Sequence, residues 1–218
     1  MADWEAMWSS GLAKGQAFDA AQVEPAFAKM LQSASDLPKR GRALVPGCGR
    51  GYAVAELVRA GFEVVGLELA DTAVVAAVDH LESQALPQGS WRIERGDFFA
   101  LEPSQGKYSM IYDCTFLCAL LPGQREDWAK QMDILLEPGG ELVTLIFPVK
   151  EEPFEGGPPF HMSPELVGRL LEPLGFRPHL LEPVPKELLA RPHVAGEWLG
   201  RWGKEPAGPS RAGQGACP

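Results

Sequence analysis

The chain has 218 residues, 45% hydrophobic and 22% charged, which fits one globular domain with a sizeable core and at most a small appendage. Acidic side chains outnumber basic ones 29 to 20, for a formal charge of -9. A surface of that sign repels phosphate backbones and anionic lipid headgroups, so nucleic acid and membranes are not expected as partners.

Residues 1–35 are expected to form a separate helical piece. From Arg42 to Phe147, short β-type runs alternate with helical stretches. Ala43-Leu44-Val45 is an apolar run ended by Pro46-Gly47, a strand and then a tight turn. Tyr52 to Ala60 carries Val54, Leu57 and Val58 at helical spacing, with Gly61 as its stop. Phe62–Leu67 is a second strand. Asp71 is the expected N-cap of a helix through Val74, Val75, Val78 and Leu81. Trp91–Glu94 and Tyr108–Tyr112 are the third and fourth strands. A helix over Arg125–Leu136 closes at Pro138-Gly139-Gly140, and Glu141–Phe147 follows as the most strand-like run.

Pro148 to Pro164, rich in Pro and Gly, is too long for a plain connector. Ser163 caps a helix to Leu174, Phe176–Val184 is a strand, and Val194–Trp202 a strand or short helix. This alternation predicts an α/β fold, a seven-stranded, mostly parallel sheet with helices on both faces. The main domain spans 36–202. Gly203 to Pro218 is expected to be a frayed tail, because its small and polar residues bury little.

The start, Met1-Ala2-Asp3-Trp4-Glu5, lacks the pattern of a secretory leader. No apolar run approaches the roughly 20 residues that span a bilayer, so a cytoplasmic location is expected. Cys48, Cys114, Cys118 and Cys217 make no disulfide framework in a chain this long. They keep no metal-ligand spacing with His161, His179 and His193, so no metal is expected.

Val45-Pro46-Gly47-Cys48-Gly49-Arg50-Gly51 carries a strand into a G-x-G-x-G turn at a helix start. Glycine is needed where the backbone turns tightly and a ligand approaches closely. Such a turn lies at the carboxyl edge of the first strand, where nucleotides bind in doubly wound sheets. Glu68 ends the second strand, placed to accept bonds from both ribose hydroxyls. Dinucleotide enzymes use G-x-G-x-x-G, whereas here the third Gly comes one residue early. S-adenosylmethionine carries no phosphate and tolerates the looser turn. Gly96-Asp97-Phe98-Phe99 follows the third strand. Asp97 can accept from an adenine amino group and Phe98 can cover the ring. The plain alternative is a helix-capping Asp beside a core Phe. Together these features favour the methyl donor.

Trp4-x-x-x-Trp8, Phe18-Asp19, Val45-Pro46-Gly47-Cys48-Gly49 and Glu68 resemble the thiopurine S-methyltransferase family, within it the thiol, thiocyanate and halide methyltransferase branch. Asp113-Cys114-Thr115-Phe116-Leu117-Cys118-Ala119-Leu120, Leu145-Ile146-Phe147-Pro148 and Gly156-Gly157-Pro158-Pro159-Phe160 are similar to blocks of that branch. The resemblance covers residues 4–202. It implies a Rossmann-like class I methyltransferase fold with an N-terminal helical lid. Trp4 and Trp8 would contact the donor from that lid, where an aromatic face adds attraction for a sulfonium. Gly47, Gly49, Glu68, Asp97, Phe98 and the strand-four Asp113 would bind it, and Arg125 would reach into the pocket. Phe18, Phe116, Phe147 and Phe160 would line an apolar acceptor pocket. The chain departs from the branch at two places. Phe18 stands where Trp is common and Cys114 where Tyr is common, and both changes enlarge the acceptor cavity.

Methyl transfer from a sulfonium is an in-line displacement, so the protein supplies orientation and water exclusion. A thiol acceptor already provides some thiolate at neutral pH. No Ser-His-Asp pattern is present. Asp19 is a candidate proton acceptor. The expectation is a monomeric S-adenosylmethionine-dependent methyltransferase acting on a small thiol or related sulfur or selenium compound. Alternatives are N- or O-methylation of a small metabolite, a nicotinamide-dependent oxidoreductase in which Glu68 reads the ribose, and a non-catalytic binding module.

Overall fold

Period-two alternation in the central strands sends neighbouring side chains to opposite faces of one sheet. Ala43 and Val45 face one side and Leu44 the other, each into a separate apolar cluster. A computed structural model describes residues 3–38, 40–103 and 106–204. Its seven strands are β1 (Arg42–Pro46), β2 (Glu63–Glu68), β3 (Trp91–Arg95), β4 (Tyr108–Cys114), β5 (Leu136–Val149), β6 (Phe176–Pro183) and β7 (Gly196–Lys204). They lie in the order β3-β2-β1-β4-β5-β7-β6. The first five are parallel, and β7 runs antiparallel to both β5 and β6. The strand order reverses between β1 and β4. Ligands of open α/β sheets bind at such a reversal, outside the carboxyl ends of the strands.

Among the described residues six α-helices accompany the sheet: α1 (Trp4–Ser9), which packs on α4, α2 (Pro25–Ser33), α3 (Tyr52–Arg59), α4 (Asp71–Glu82), α5 (Arg125–Leu135) and α6 (Pro164–Leu171). One cluster joins Leu44, Val65, Ile111 and Leu142 to Trp128 and Met132 of α5 and Val167 of α6. The other joins Val45, Val64, Met110 and Val143 to Phe27 of α2 and Leu57 of α3. No helix among the described residues is long and apolar enough to cross a membrane.

Several local expectations change. Residues 1–35 are not one separate piece, because Phe27 of α2 stacks on Tyr112 of β4 at 3.6 Å and 7°. Only α1 and the loop after it stand apart from the main cores. Asp71 is the first helical residue of α4, not its cap. Ala70 holds the cap position without a side-chain bond. The missing carboxylate comes from α1 instead, where Glu5 accepts the Thr72 N–H at 3.2 Å and also the Thr72 hydroxyl. Pro138-Gly139-Gly140 does not separate α5 from the next strand. β5 begins at Leu136 and carries those residues as an irregularity opposite Tyr108–Met110.

Ser163 does cap α6, accepting the Leu166 N–H at 3.1 Å, but the helix stops at Leu171 and continues as a 3₁₀ turn over Glu172–Leu174. Val194 precedes β7, which is a strand throughout and extends through Gly203 and Lys204, two residues into the expected tail. The rest of that expected tail, with Cys217, lies outside the described residues.

Candidate active site

The turn after β1 is built from backbone conformations that suit glycine. Gly47, Gly49 and Gly51 have φ of 59°, 54° and 77°. A Cβ on Gly47 would lie 2.7 Å from the Phe116 ring, so the turn is packed against the loop that follows β4. Gly51 ends the turn as the left-handed N-cap of α3. The Gly49 N–H donates to Glu68 Oε2 at 2.9 Å, and Leu69 N–H donates to Oε1 at 2.9 Å. Glu68 is 8% exposed. Burial raises its pKa above the usual carboxylate range, while those two N–H bonds and the Ala70 N–H pull it back down. A carboxylate has about four lone-pair sites, so two such bonds leave acceptor capacity for a diol.

These groups open onto a cavity of about 610 Å³ along the carboxyl edge of β1, β2 and β4, a size usual for small-molecule sites. Gly47, Gly49, Glu68, Asp97 and Phe98 line one region of it. Asp97 does cap a 3₁₀ turn, its Oδ1 accepting the Phe99 N–H at 3.0 Å, and it also faces the cavity. Phe98 is buried, edge-on to Phe116 with centroids 5.1 Å apart. The capping geometry therefore holds the acid and the ring in the cavity wall.

Trp4 and Trp8 of α1 also line the cavity. Both rings meet Phe18 edge-on, at 5.9 and 5.8 Å. The Arg50 guanidinium lies 5.2 Å from the Trp8 ring centroid, and its Nε donates to Asp19 Oδ2 at 2.7 Å. Asp19 also accepts from Ala21 N–H at 2.6 Å and from Tyr52 Oη at 3.3 Å. Burial, then the Asp19 charge, pushes the Tyr52 hydroxyl up to about 12, so it stays a donor. Asp19 lines the cavity, but its oxygens are committed to ordering the loop after α1 rather than left free for a proton.

Phe18, Cys114, Phe116, Phe147 and Phe160 all line the cavity, as the resemblance implies. Phe160 arrives from the Gly-Pro loop, held by its N–H donating to the Cys118 carbonyl at 2.7 Å. Two expected donor contacts fall elsewhere. Asp113 is 2% exposed and does not line the large cavity. Its Oδ2 accepts from Trp128 Nε1 at 2.8 Å and Oδ1 from Leu117 N–H at 3.2 Å, so it orders the loop that follows β4. Arg125 is also not a lining residue. Its guanidinium turns to the His161 carbonyl at 3.4 Å, while its neighbour Gln124 faces the cavity.

The sequence reading missed a buried polar group in the cavity wall. Glu24, 7% exposed, accepts from Tyr112 Oη at 3.2 Å and from Arg191 Nη2 at 3.2 Å. Arg191 also donates to the Phe18 carbonyl at 2.9 Å and stands 5.1 Å from the Phe147 ring centroid. Glu197 lies behind it, 3.7 Å from Nη1, and accepts from Ala190 and Arg191 N–H. Glu24 and Arg191 lie 167 positions apart in the chain, with no local motif to join them. The only cue was a charged residue before Pro25 at a helix start. Among the described residues no cluster of three His, Cys, Asp or Glu side chains could hold a metal ion.

The fold, with a glycine turn and a strand-ending carboxylate on one cavity, is that of a class I S-adenosylmethionine-dependent methyltransferase. The solved 1,6-didemethyltoxoflavin-N1-methyltransferase of Burkholderia thailandensis has the same fold, with a TM-score of 0.70 at 16% identity over 94% of this chain and 86% of that one. The thiopurine S-methyltransferase family model matches residues 1–186, and the chain belongs to that family. It is 40% identical to the probable thiol methyltransferase 2 of Arabidopsis thaliana over 202 residues, 92% of this chain and 84% of the relative. It is 34% identical to thiocyanate methyltransferase 1 of Brassica oleracea over the same shares of the two chains.

Proposed function

We propose that this enzyme methylates a small thiol, or a related sulfur or selenium compound, in the cytoplasm and as a monomer. In this reading Glu68 holds the donor's ribose, Asp97 and Phe98 its adenine, and Gly47 and Gly49 admit its amino-acid end. Trp4 and Trp8 cover it. The bound donor supplies an activated methyl group on a positive sulfur. The protein holds acceptor and methyl carbon in line and keeps water out.

The observation that carries the reading is that one cavity is lined both by the bonded Gly49–Glu68 pair, which suits a nucleoside, and by the rings of Phe18, Phe116, Phe147 and Phe160, which suit a soft apolar acceptor. The names of the relatives, thiol and thiocyanate methyltransferases, agree with a sulfur nucleophile. The test is a panel of thiols, thiocyanate, iodide and amines assayed with isotopically labelled donor. Thiols are expected to take up label fastest. Uptake by amines and not by thiols would reject the sulfur assignment.

A further inference from the structure

Glu24 occupies the N-cap position of α2, yet its side chain makes no capping bond. The carboxylate points instead to the cavity wall, where its neighbours come from two other parts of the chain. Tyr112 and Cys114 face it from β4. Arg191 faces it from the segment before β7, with Glu197 of β7 behind. Glu24 and Glu197 share that one guanidinium, and no other cation pairs with either among the described residues. With both carboxylates ionised the group carries one excess negative charge. Of the two carboxylates, Glu24 is the one that lines the cavity, beside Tyr112, Cys114 and Arg191.

Cys114 shows what a thiol does in that position. Burial first, and then the Glu24 charge, push its pKa well above the ordinary thiol value, so it keeps its proton. Tyr112 is raised by burial as well and remains a hydroxyl donor. Neither can take a proton from an acceptor, and Arg191 is held charged. Asp19, the other carboxylate near this end, is saturated by Arg50, Tyr52 and backbone N–H groups.

We infer that Glu24 is the proton acceptor for a protonated thiol bound in the cavity, and that it directs the enzyme toward thiols over acceptors that are already anions. This inference rests on the proposed sulfur acceptor. As the thiol sulfur forms its bond to the methyl carbon, the donor's carbon–sulfur bond breaks and its electron pair stays on the departing thioether sulfur. The S–H proton passes to Glu24 and then to solvent, leaving a neutral methyl thioether. A weak carboxylate base suffices, because the attacking sulfur becomes strongly acidic as it gains the methyl group. An anion such as iodide or thiocyanate gives up no proton and meets the excess negative charge of Glu24 and Glu197.

The experiment follows kcat/KM against pH with 2-mercaptoethanol and with iodide, in the full-length protein saturated with S-adenosylmethionine. Wild type should reach a plateau with 2-mercaptoethanol near neutral pH, well below the thiol's own pKa. Glu24→Gln should lose about 10²- to 10⁴-fold at pH 7 with the thiol, the usual worth of a positioned base. It should regain activity as alkali forms thiolate, keep its affinity for S-adenosylhomocysteine, and gain activity with iodide, because the excess negative charge is removed. A wild-type profile that climbs tenfold per pH unit up to the thiol pKa overturns the inference alone, whether or not the variant folds. So does an equal loss with both acceptors, or no loss with either. A wild type that binds the donor and methylates no thiol overturns the acceptor reading and this inference with it.

Discussion

The Gly49 N–H donates to the Glu68 carboxylate at 2.9 Å, so the glycine turn after β1 and the end of β2 form one unit. The bond fixes the carboxylate's orientation before any ligand arrives. A preorganised acceptor loses less freedom on binding than a mobile one. The glycine there is needed for its φ of 54°; a Cβ would stand 3.7 Å from the Trp8 ring, an ordinary contact.

Gly47→Ala should harm both stability and donor binding. Its φ of 59° strains a side chain, and the new Cβ meets the Phe116 ring at 2.7 Å. Holding a non-glycine residue there costs about 1–3 kcal/mol. Denaturant unfolding of the two proteins measures it, and an unchanged midpoint would contradict the packing described.

The helix expected as a lid, α1, is held to α4 by a side chain as well as by the small apolar cluster of Trp8, Ala70 and Ala73. Glu5 reaches from α1 to Thr72 at the start of α4. Hydrogen bonds from Thr72 lower its pKa, so the anchor is present above the ordinary value of 4.5 and is lost as pH falls through the depressed folded value. Glu5→Ala should speed amide exchange over residues 4–9 and weaken S-adenosylhomocysteine binding several-fold at pH 7. Identical exchange in the two proteins would show that the lid does not depend on this contact.

Phe18, wedged edge-on between Trp4 and Trp8, lines the cavity where the acceptor is proposed to bind. Phe18→Trp should narrow it and discriminate against bulky aromatic thiols relative to small ones by roughly tenfold or more in kcat/KM, the scale of a change of a few carbon atoms in a pocket. Equal effects on large and small thiols would place the acceptor elsewhere.

Burial raises Asp113 from its usual 3.8 to about 6, against the bonds from Leu117 and Trp128 that hold it down. A folded-state pKa above the unfolded one means that the native protein binds more protons in that window. Stability should therefore fall as pH rises from about 4 to about 6. Melting temperatures across this range should decline more steeply in wild type than in Asp113→Asn. Parallel curves would contradict the assignment.

Most of the fold was legible because it is written locally. Period-two runs, glycine stops and the order strand, turn, acid, strand, acid all lie within short windows. The cavity-lining positions Gly47, Glu68 and Asp97 were legible for the same reason, since each lies at or just past the end of a strand. What escaped was set by tertiary contact. Asp71 looked like a cap because nothing in its neighbourhood indicates that Glu5 caps α4 from another helix. Pro138-Gly139-Gly140 looked like a stop because local turn chemistry does not show that β4 pairs on both sides of it. Glu24, Arg191 and Glu197 meet only after β7 folds back against β5, so no spacing could announce them. Arg125 and Asp113 sit beside the cavity in sequence terms, yet a carbonyl and an indole claim their side chains.

In the proposed function, Glu68 grips the sugar of an adenosyl donor at the carboxyl edge of the sheet. Calorimetric titration of wild type and Glu68→Ala with S-adenosylhomocysteine measures this directly. Wild type should bind, and the variant should bind more weakly by roughly 1–3 kcal/mol, the cost of leaving buried hydroxyl partners unmatched. Equal affinity in the two proteins, or no heat with wild type, would contradict it.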